Sequence, residues 1–303
     1  VQDLYFHQSK QKRIMKNFLL TLTITALSIG SITAQEEDKK LSKIAFLMVD
    51  GKYEDVVDKA EKLTEDSDYR RNPTTYMYLA QGYFELARNW EYQEDYPKAI
   101  KESLKGAYKM VKYATKEEND KILKVNDDFL TQLKDTVIKI SEIYYDTDNP
   151  RKAAYYMGKI VKFDPDDYAV WLMKGVYEIK ARNIGEGVKS IKLAMENINE
   201  GYVPDEVSAQ TLVNGLEEWA TLVKNGEYNK YFEAYKFEVN ESQAPGILAM
   251  SKEMEKYLVG EKVDVASRKK ESEVIYKSFK SDETEDDEDD DEEITTMKTK
   301  KKM

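Results

Sequence analysis

The chain of 303 residues contains no cysteine and one histidine, His7. Without cysteine it can form no disulfide, no thiolate nucleophile and no cysteine-ligated zinc site, and it has no N-terminal cysteine to carry a lipid. No stretch shows a sustained two-residue alternation of apolar and polar residues, so we expect essentially no β-sheet. The hydrophobic content of 41% is nevertheless enough to form a packed core.

The one long apolar run lies near the N-terminus, from Phe18 to Ile32. Basic residues precede the run and small residues ending at Ala34 follow it, which is the order found in a bacterial secretory signal peptide. A retained anchor helix is the alternative, although the run is shorter than the roughly 20 residues that a spanning helix needs. We expect residues 1–34 to be upstream residues plus a signal peptide. The mature protein is then exported, periplasmic or associated with the outer membrane, and does not span a membrane.

Removal of residues 1–34 would also remove His7 and change the net charge from −11 to −14. The mature chain would then lack the commonest general base, the commonest metal ligand and the most reactive nucleophile. We therefore expect no enzyme, no cofactor and no metal site. The acidic charge also argues against nucleic acid as a partner of the main body, because binding phosphates needs clustered lysine and arginine.

An internal repeat with a period of 34 residues crosses the middle of the chain. Each copy has a large residue, an apolar and a small residue, then a second small residue followed by an apolar one. The first copy has Val137, Ile140, Ser141, Tyr144, Ala153, Met157, Ile160 and Pro165, and the second has Trp171, Lys174, Gly175, Glu178, Gly187, Ile191, Ala194 and Asn199. The residue types disagree at Lys174, Glu178 and Asn199.

This pattern resembles the tetratricopeptide repeat (TPR), and Pro165 precedes Trp171 by six residues as it does in that family. The resemblance covers roughly residues 41–239. It implies an all-α, TPR-like α-solenoid of about four to five helix pairs within a repeat domain at residues 35–259. Small residues let paired helices approach closely, so Gly175 and Gly187 are expected at a helix–helix contact. An unrelated helical bundle is the alternative.

Weaker copies and helix boundaries surround the central repeat. The spacing of a first helix recurs at residues 76–83, an insertion follows at 89–94, and turns are expected at 46–53 and 225–228. Asparagine or aspartate before proline at 72–73, 149–150 and 164–165 predicts capped helix starts. Pro204 predicts a further helix with Asp205 and Glu206 in its first turn. A final helix beyond Pro245 is expected to cover the end of the array.

The composition changes at residues 260–303. Eleven of the twelve residues from Asp282 to Glu293 are acidic, and Lys298 and the lysines at 300–302 follow them. Such a block repels itself and cannot bury surface, so we expect a disordered, solubilising tail. Contact with a basic partner is the alternative.

Two short motifs invite chemical interpretations that the sequence does not favour. The segment Gly185–Ser190 lacks the preceding strand and the glycine directly before lysine that a phosphate-binding loop requires. The aspartates at 146–148 and 164–167 lack the glycine turn and final glutamate of a calcium loop. Both groups lie where helix caps are expected.

The resemblance also implies a binding groove. First helices of the family line the inside of the superhelix, which places nine residues in the groove: Met77, Gln81, Phe84, Ile138, Glu142, Tyr145, Leu172, Val176 and Ile179. This mostly apolar and aromatic set suits an amphipathic helix or an extended peptide, and it does not match the family's clamp for chaperone C-termini. The alternative is that these side chains pack against a neighbouring repeat or the C-terminal helix.

Together these features predict a non-catalytic adaptor or scaffold of the bacterial cell envelope that binds a protein partner, a helix or a peptide, in its groove. A ligand-binding accessory subunit of an outer-membrane nutrient-uptake complex is the alternative. Against that alternative, such subunits are usually larger and lipid-anchored, and this chain has no cysteine to acylate.

Overall fold

The computed structural model describes residues 38–198 and 202–259. All regular structure in these two ranges is helical, with no strand, which confirms the all-α class. The predicted signal peptide and acidic tail lie outside the described residues. The chain divides into two units between Lys43 and Ile44, and the described part of the first unit is only the start of the first helix.

Twelve α-helices follow one another along the described ranges. They are α1 (Lys39–Val49), α2 (Tyr53–Glu65), α3 (Pro73–Arg88), α4 (Ala99–Lys116), α5 (Asp120–Val125), α6 (Asp127–Asp146), α7 (Pro150–Phe163), α8 (Tyr168–Lys180), α9 (Ile184–Asn197), α10 (Ala209–Asn225), α11 (Asn229–Ala234) and α12 (Ala244–Val259). Short 3-10 turns lie at Trp90–Tyr92, within the predicted insertion, and at Glu241–Gln243. None of the described helices is both long enough and apolar enough to cross a membrane.

Polar side chains cap several helices where the sequence predicts them. Asn72 accepts a hydrogen bond from the Thr74 amide at 2.8 Å, and Asn149 accepts one from the Lys152 amide at 3.1 Å, each directly before a proline. The expected turn after α10 is also present, because Gly226 there has a φ of 65°, which glycine adopts without strain.

Two predicted helix starts are wrong. The residue that caps α8 is Asp167, which accepts a hydrogen bond from the Val170 amide at 3.1 Å, and not Asp164. Helix α10 begins at Ala209, and not at Pro204. In both places the aspartate that was expected at a helix terminus instead contacts the side chain of Lys134, as described below.

Helices that are neighbours along the chain form most of the packing in the second unit. Helix α3 packs on α4, α6 on α7, and α8 on α9, and these pairs join through contacts of α4 with α7 and of α7 with α8, while α10 packs on α8. The final helix, α12, packs on α10 as expected. Helix α5 interrupts the alternation between α4 and α6, and the sequence pattern gave no indication of it.

The α8–α9 pair confirms the predicted close contact. A Cβ atom on Gly175 would lie 2.8 Å from the Gly187 carbonyl oxygen, and one on Gly187 would lie 2.7 Å from the Gly175 carbonyl oxygen. In the preceding pair, Ser141 of α6 donates a hydrogen bond of 2.8 Å to the Ala153 carbonyl of α7. Small residues at equivalent repeat positions therefore bring both pairs of backbones together.

The large residue at the start of the repeat has the same role in two copies. The Trp171 indole donates a hydrogen bond of 3.0 Å to the carbonyl of Pro165, six residues earlier. The Tyr76 hydroxyl donates one of 2.8 Å to the carbonyl of Arg70, also six residues earlier. Each aromatic side chain thus fixes the loop before its own helix. The two copies of the repeat thus share, at this position, both an aromatic residue and its hydrogen bond to the preceding loop.

A cleft formed by helices α6, α8 and α10

Side chains from three helices line an open cleft of about 660 Å3 in the second unit. The lining residues are Lys139, Glu142, Ile143, Tyr145 and Asp146 of α6, Met173 and Tyr177 of α8, and Gln210, Asn214, Glu217, Glu218 and Thr221 of α10. Helices α6 and α8 occupy equivalent positions in the 34-residue repeat, and α10 follows them. The cleft is therefore built on two equivalent helices of the repeat and on α10.

Two tyrosines form the aromatic floor of the cleft. The ring centroids of Tyr145 and Tyr177 are 4.6 Å apart, with the ring planes inclined by 33°. Tyr177 is only 1% exposed, and this burial, together with the nearby Glu142 carboxylate, raises the pKa of its phenol. Tyr145 is partly exposed, so its ring is the aromatic surface that a bound molecule can contact.

Four carboxylates surround this floor, and two of them are paired with lysines. Glu142 lies 3.2 Å from the Lys139 ammonium, and Glu218 lies 3.2 Å from the Lys180 ammonium. Burial raises the pKa of Glu142, and the Lys139 ammonium offsets only part of that effect. The Tyr145 hydroxyl lies 3.5 Å from a Glu218 oxygen, and burial followed by the Glu218 charge raises the pKa of that hydroxyl.

The other two carboxylates, Asp146 and Glu217, are exposed and form no ion pair with a described residue. Glu217 accepts a hydrogen bond of 3.4 Å from Ser251 of α12. The lining therefore carries more negative than positive charge, and the excess is at the solvent-facing rim. A cleft of this kind attracts a cationic group and offers it an aromatic face.

The structure separates the nine predicted groove residues into two groups. Phe84, Ile138, Leu172, Val176 and Ile179 are each no more than 2% exposed, so these five contribute no accessible surface to a groove. The reason is visible at Leu172, because a Cβ atom on Gly215 of α10 would lie 3.2 Å from its side chain. Helix α10 covers the part of α8 that the family resemblance assigns to the groove.

The four remaining residues are partly exposed, but they do not lie together. Glu142 and Tyr145 line the cleft. Met77 and Gln81 lie on α3, where the Gln81 amide donates a hydrogen bond of 2.8 Å to Asn126 instead of lining the same cleft. Two of the nine residues therefore line the cleft, and α10 supplies lining residues that the pattern of the first helices did not include.

The chain has no significant match among family models, curated proteins or solved structures. Its function is therefore inferred from the geometry of its own residues.

A second cluster of carboxylates lies at the other end of the same three helices. Asp164, Asp167 and Asp205 bring carboxylate oxygens within 4.8 Å of one another, which is close enough to hold a metal ion. The Lys134 ammonium is already among them, at 2.6 Å from Asp164 and 2.9 Å from Asp167, and it also contacts Asp205. This lysine supplies the positive charge that a metal would bring, so we assign the cluster a structural role.

Burial and hydrogen bonds fix the geometry of this lysine cluster. Lys134 and Asp167 have side chains that are only 4% exposed, and Asp167 also accepts hydrogen bonds from the Val170 amide and the Ser208 hydroxyl. Burial lowers the pKa of Lys134, but Asp167, Asp164 and Asp205 together outweigh that effect and hold it above the ordinary value. Lys134 is thus a buried cation that links α6 to the loops before α8 and α10.

Proposed function

We propose that this chain is a non-catalytic adaptor of the bacterial cell envelope. In this proposal a TPR-like solenoid of about four to five helix pairs binds a helix or an extended peptide of a partner protein in the α6–α8–α10 cleft. The 34-residue period, the matched hydrogen bonds of Trp171 and Tyr76, and the succession of helix pairs support the solenoid. The signal-peptide pattern of residues 15–34 supports export.

The observation that carries the proposal is the cleft itself. Its exposed part combines the Tyr145 ring with carboxylates at the rim. Binding is the chemistry that such a lining supports. We infer that the bound segment carries lysine or arginine next to an apolar or aromatic residue, because these groups complement the rim and the floor.

A paired substitution on the exposed lining tests the proposal. In Tyr145→Ala/Glu217→Ala the cleft loses its accessible ring and a rim carboxylate while the buried floor remains. Loss of a central tyrosine contact weakens a typical interface by about tenfold or more. The immobilised chain and this variant are incubated with envelope fractions, the retained proteins are identified by mass spectrometry, and the affinity of each retained protein is then measured.

A matched control separates loss of the cleft from loss of two surface side chains. Tyr231→Ala/Glu238→Ala removes the same residue types at partly exposed and exposed positions outside the cleft lining, and it should retain the partner. Far-ultraviolet circular dichroism checks that all three proteins have the same helicity. Equal affinity of the cleft variant and the wild-type chain for every retained protein would rule out the cleft as the binding site.

The aromatic floor also favours a second candidate, the accessory subunit of an outer-membrane nutrient-uptake complex. The partly exposed Tyr145 ring offers an apolar face, and the carboxylates beside it offer hydrogen-bond acceptors, both of which a sugar ring can use. Calorimetric titration with oligosaccharides distinguishes the two candidates. Saturable heat that disappears in Tyr145→Ala/Glu217→Ala would favour the sugar-binding function over the adaptor.

A further inference from the structure

Helix α4 carries a stripe of lysines on its solvent side. The helix contains five lysines and one acidic residue, Glu102, which lies 3.0 Å from Lys105. The lysines are Lys101, Lys105, Lys109, Lys112 and Lys116. At 100° per residue the five fall within about 80° of the helix circumference. The buried residues of α4, such as Ala107 and Met110, lie on the opposite side. The stripe is therefore on the solvent side of α4.

Helix α7 repeats this arrangement. It contains four basic residues and no acidic residue, and the basic residues are Arg151, Lys152, Lys159 and Lys162. They fall within about 100° of the circumference. The buried residues of α7, such as Met157 and Ile160, again lie on the opposite side. Because α4 and α7 pack against each other, the two stripes lie on neighbouring helices. We call them together the basic face.

Tyrosines are interleaved with the lysines of the basic face. The Lys112 ammonium lies 5.5 Å from the centroid of the Tyr108 ring, and the Lys159 ammonium lies 4.6 Å from that of Tyr155. Such cation–π contacts place each ammonium group beside an aromatic ring. The basic face is thus a local concentration of positive charge on a chain whose net charge is −11.

We propose that the acidic segment Asp282–Glu293 of this same chain binds the basic face. Charge complementarity is the first argument, because eleven of the twelve residues of the segment are acidic while the two helices carry nine basic residues. Length is the second argument. A twelve-residue segment spans up to about 40 Å when extended, and α4 and α7 are about 27 and 21 Å long, so the segment can cross both helices.

The connection between the two regions is also long enough. Twenty-two residues separate Val259, the last residue of α12, from Asp282. Twenty-two residues can span at most about 75 Å. The contacts from α12 through α10 and α8 to α7 are three helix spacings of about 8–10 Å each. Attachment to the same chain then gives the segment an effective concentration on the order of millimolar.

Such binding has a consequence for other polyanions. The bound segment occupies the positive surface, so nucleic acids and anionic membranes must displace it before they bind there. This inference concerns a different surface from the α6–α8–α10 cleft and does not depend on the proposed function. Substitutions in the cleft are expected to leave it unchanged.

The absence of cysteine from the chain allows a direct test. Thr284 is the one uncharged residue between Asp282 and Glu293, and Thr284→Cys gives the full-length chain a unique site for a nitroxide spin label. In isotopically labelled protein at low salt, we expect amide signals of α4 and α7 to lose intensity selectively. The loss should disappear at about 1 M salt, where the Debye length falls to roughly 3 Å. Selective intensity loss elsewhere, or none, would overturn the proposal.

Two further measurements test where the segment binds and whether it belongs to the same chain or to a second copy. Replacing Lys105, Lys109, Lys112 and Lys116 with glutamine keeps helix propensity and removes the α4 stripe, and it should abolish the intensity loss. The matched control replaces the exposed lysines Lys62, Lys189, Lys224 and Lys252 with glutamine and should preserve the loss. In a third sample, isotopically labelled chains without a nitroxide are mixed with nitroxide-labelled chains without the isotope. Intensity loss in that mixture would show that the segment of a second copy binds, and it would overturn the intramolecular proposal.

Discussion

The same three helices present carboxylates in two opposite environments. At one end, Asp167 is enclosed with Lys134, and both of these side chains are only 4% exposed. At the other end, Asp146 and Glu217 face solvent at the rim of the cleft. Removing a charge from water costs several kcal/mol unless an opposite charge and hydrogen bonds replace the solvent. The enclosed carboxylates therefore serve the fold, whereas the rim carboxylates remain available to a ligand.

Removing Lys134 tests the strongest part of this comparison. Lys134→Met keeps an unbranched side chain at the site but leaves Asp167 enclosed without a cation, so we expect the free energy of unfolding to fall by about 3–5 kcal/mol. Urea denaturation at pH 7 measures the change. Lys189→Met is the control, because it breaks an exposed ion pair with Glu186 and should cost at most about 1 kcal/mol. Equal costs for the two variants would show that enclosure adds nothing.

Two aspartates of the same cluster should differ in their response to neutralisation. Burial raises the pKa of both Asp164 and Asp205, but the Lys134 charge and the hydrogen bonds from Ser208 outweigh burial at Asp205 only. The pKa of Asp205 is thus lowered, and that of Asp164 is raised. The ionised form of Asp205 stabilises the fold above its unfolded-state pKa of about 4, whereas burial makes ionised Asp164 a weaker contributor to stability.

We therefore expect Asp205→Asn to reduce the free energy of unfolding at pH 7 by about 1 kcal/mol. Screening limits the effect, because the Asp205 side chain is 45% exposed. The difference from the wild-type chain should vanish as the pH falls through the lowered pKa of Asp205. Asp164→Asn should reduce stability at pH 7 by less than Asp205→Asn does. Urea titrations at pH 7 and pH 3 measure the free energy of unfolding of both variants. A larger loss of stability at pH 7 for Asp164→Asn than for Asp205→Asn would contradict the expected order.

Neutralising a cleft carboxylate should have the smallest effect on stability. Glu218 and Lys180 form an ion pair of 3.2 Å whose side chains are each about one-third exposed. Glu218→Gln should therefore change the free energy of unfolding by less than about 1 kcal/mol while weakening the binding of a cationic partner segment. Thermal unfolding and binding are measured on the same samples. A stability loss comparable to that of Lys134→Met would assign the cleft carboxylates to the fold.

The sequence predicted those features that depend on local spacing. The contact of Gly175 with Gly187, the caps at Asn72 and Asn149, and the turn at Gly226 all follow from residue type and a fixed separation along the chain. The all-helical character follows from the same patterns. Each of these features involves residues that are close in sequence or related by the repeat.

Features that depend on distant partners could not be predicted in the same way. Asp164 and Asp205 have the sequence context of helix termini, and their partner Lys134 is 30 and 71 residues away. A signal was present, because Lys134 follows Leu133 on the buried side of α6, where a lysine needs a partner. Nothing in the repeat pattern indicated that α10 covers Leu172 or that it supplies Glu217 and Glu218 to the cleft.

The span of the Lys134–Asp205 ion pair affects how the molecule folds. Most helix contacts in the second unit join segments adjacent along the chain, which favours rapid formation and allows an array of pairs to fray from its ends. The Lys134 cluster, which includes this ion pair across 71 residues, instead couples α6 to the loops before α8 and α10, so that separating α6 from these loops exposes the enclosed charges of Lys134 and Asp167. Amide hydrogens of these three helices should consequently exchange with solvent in one cooperative step.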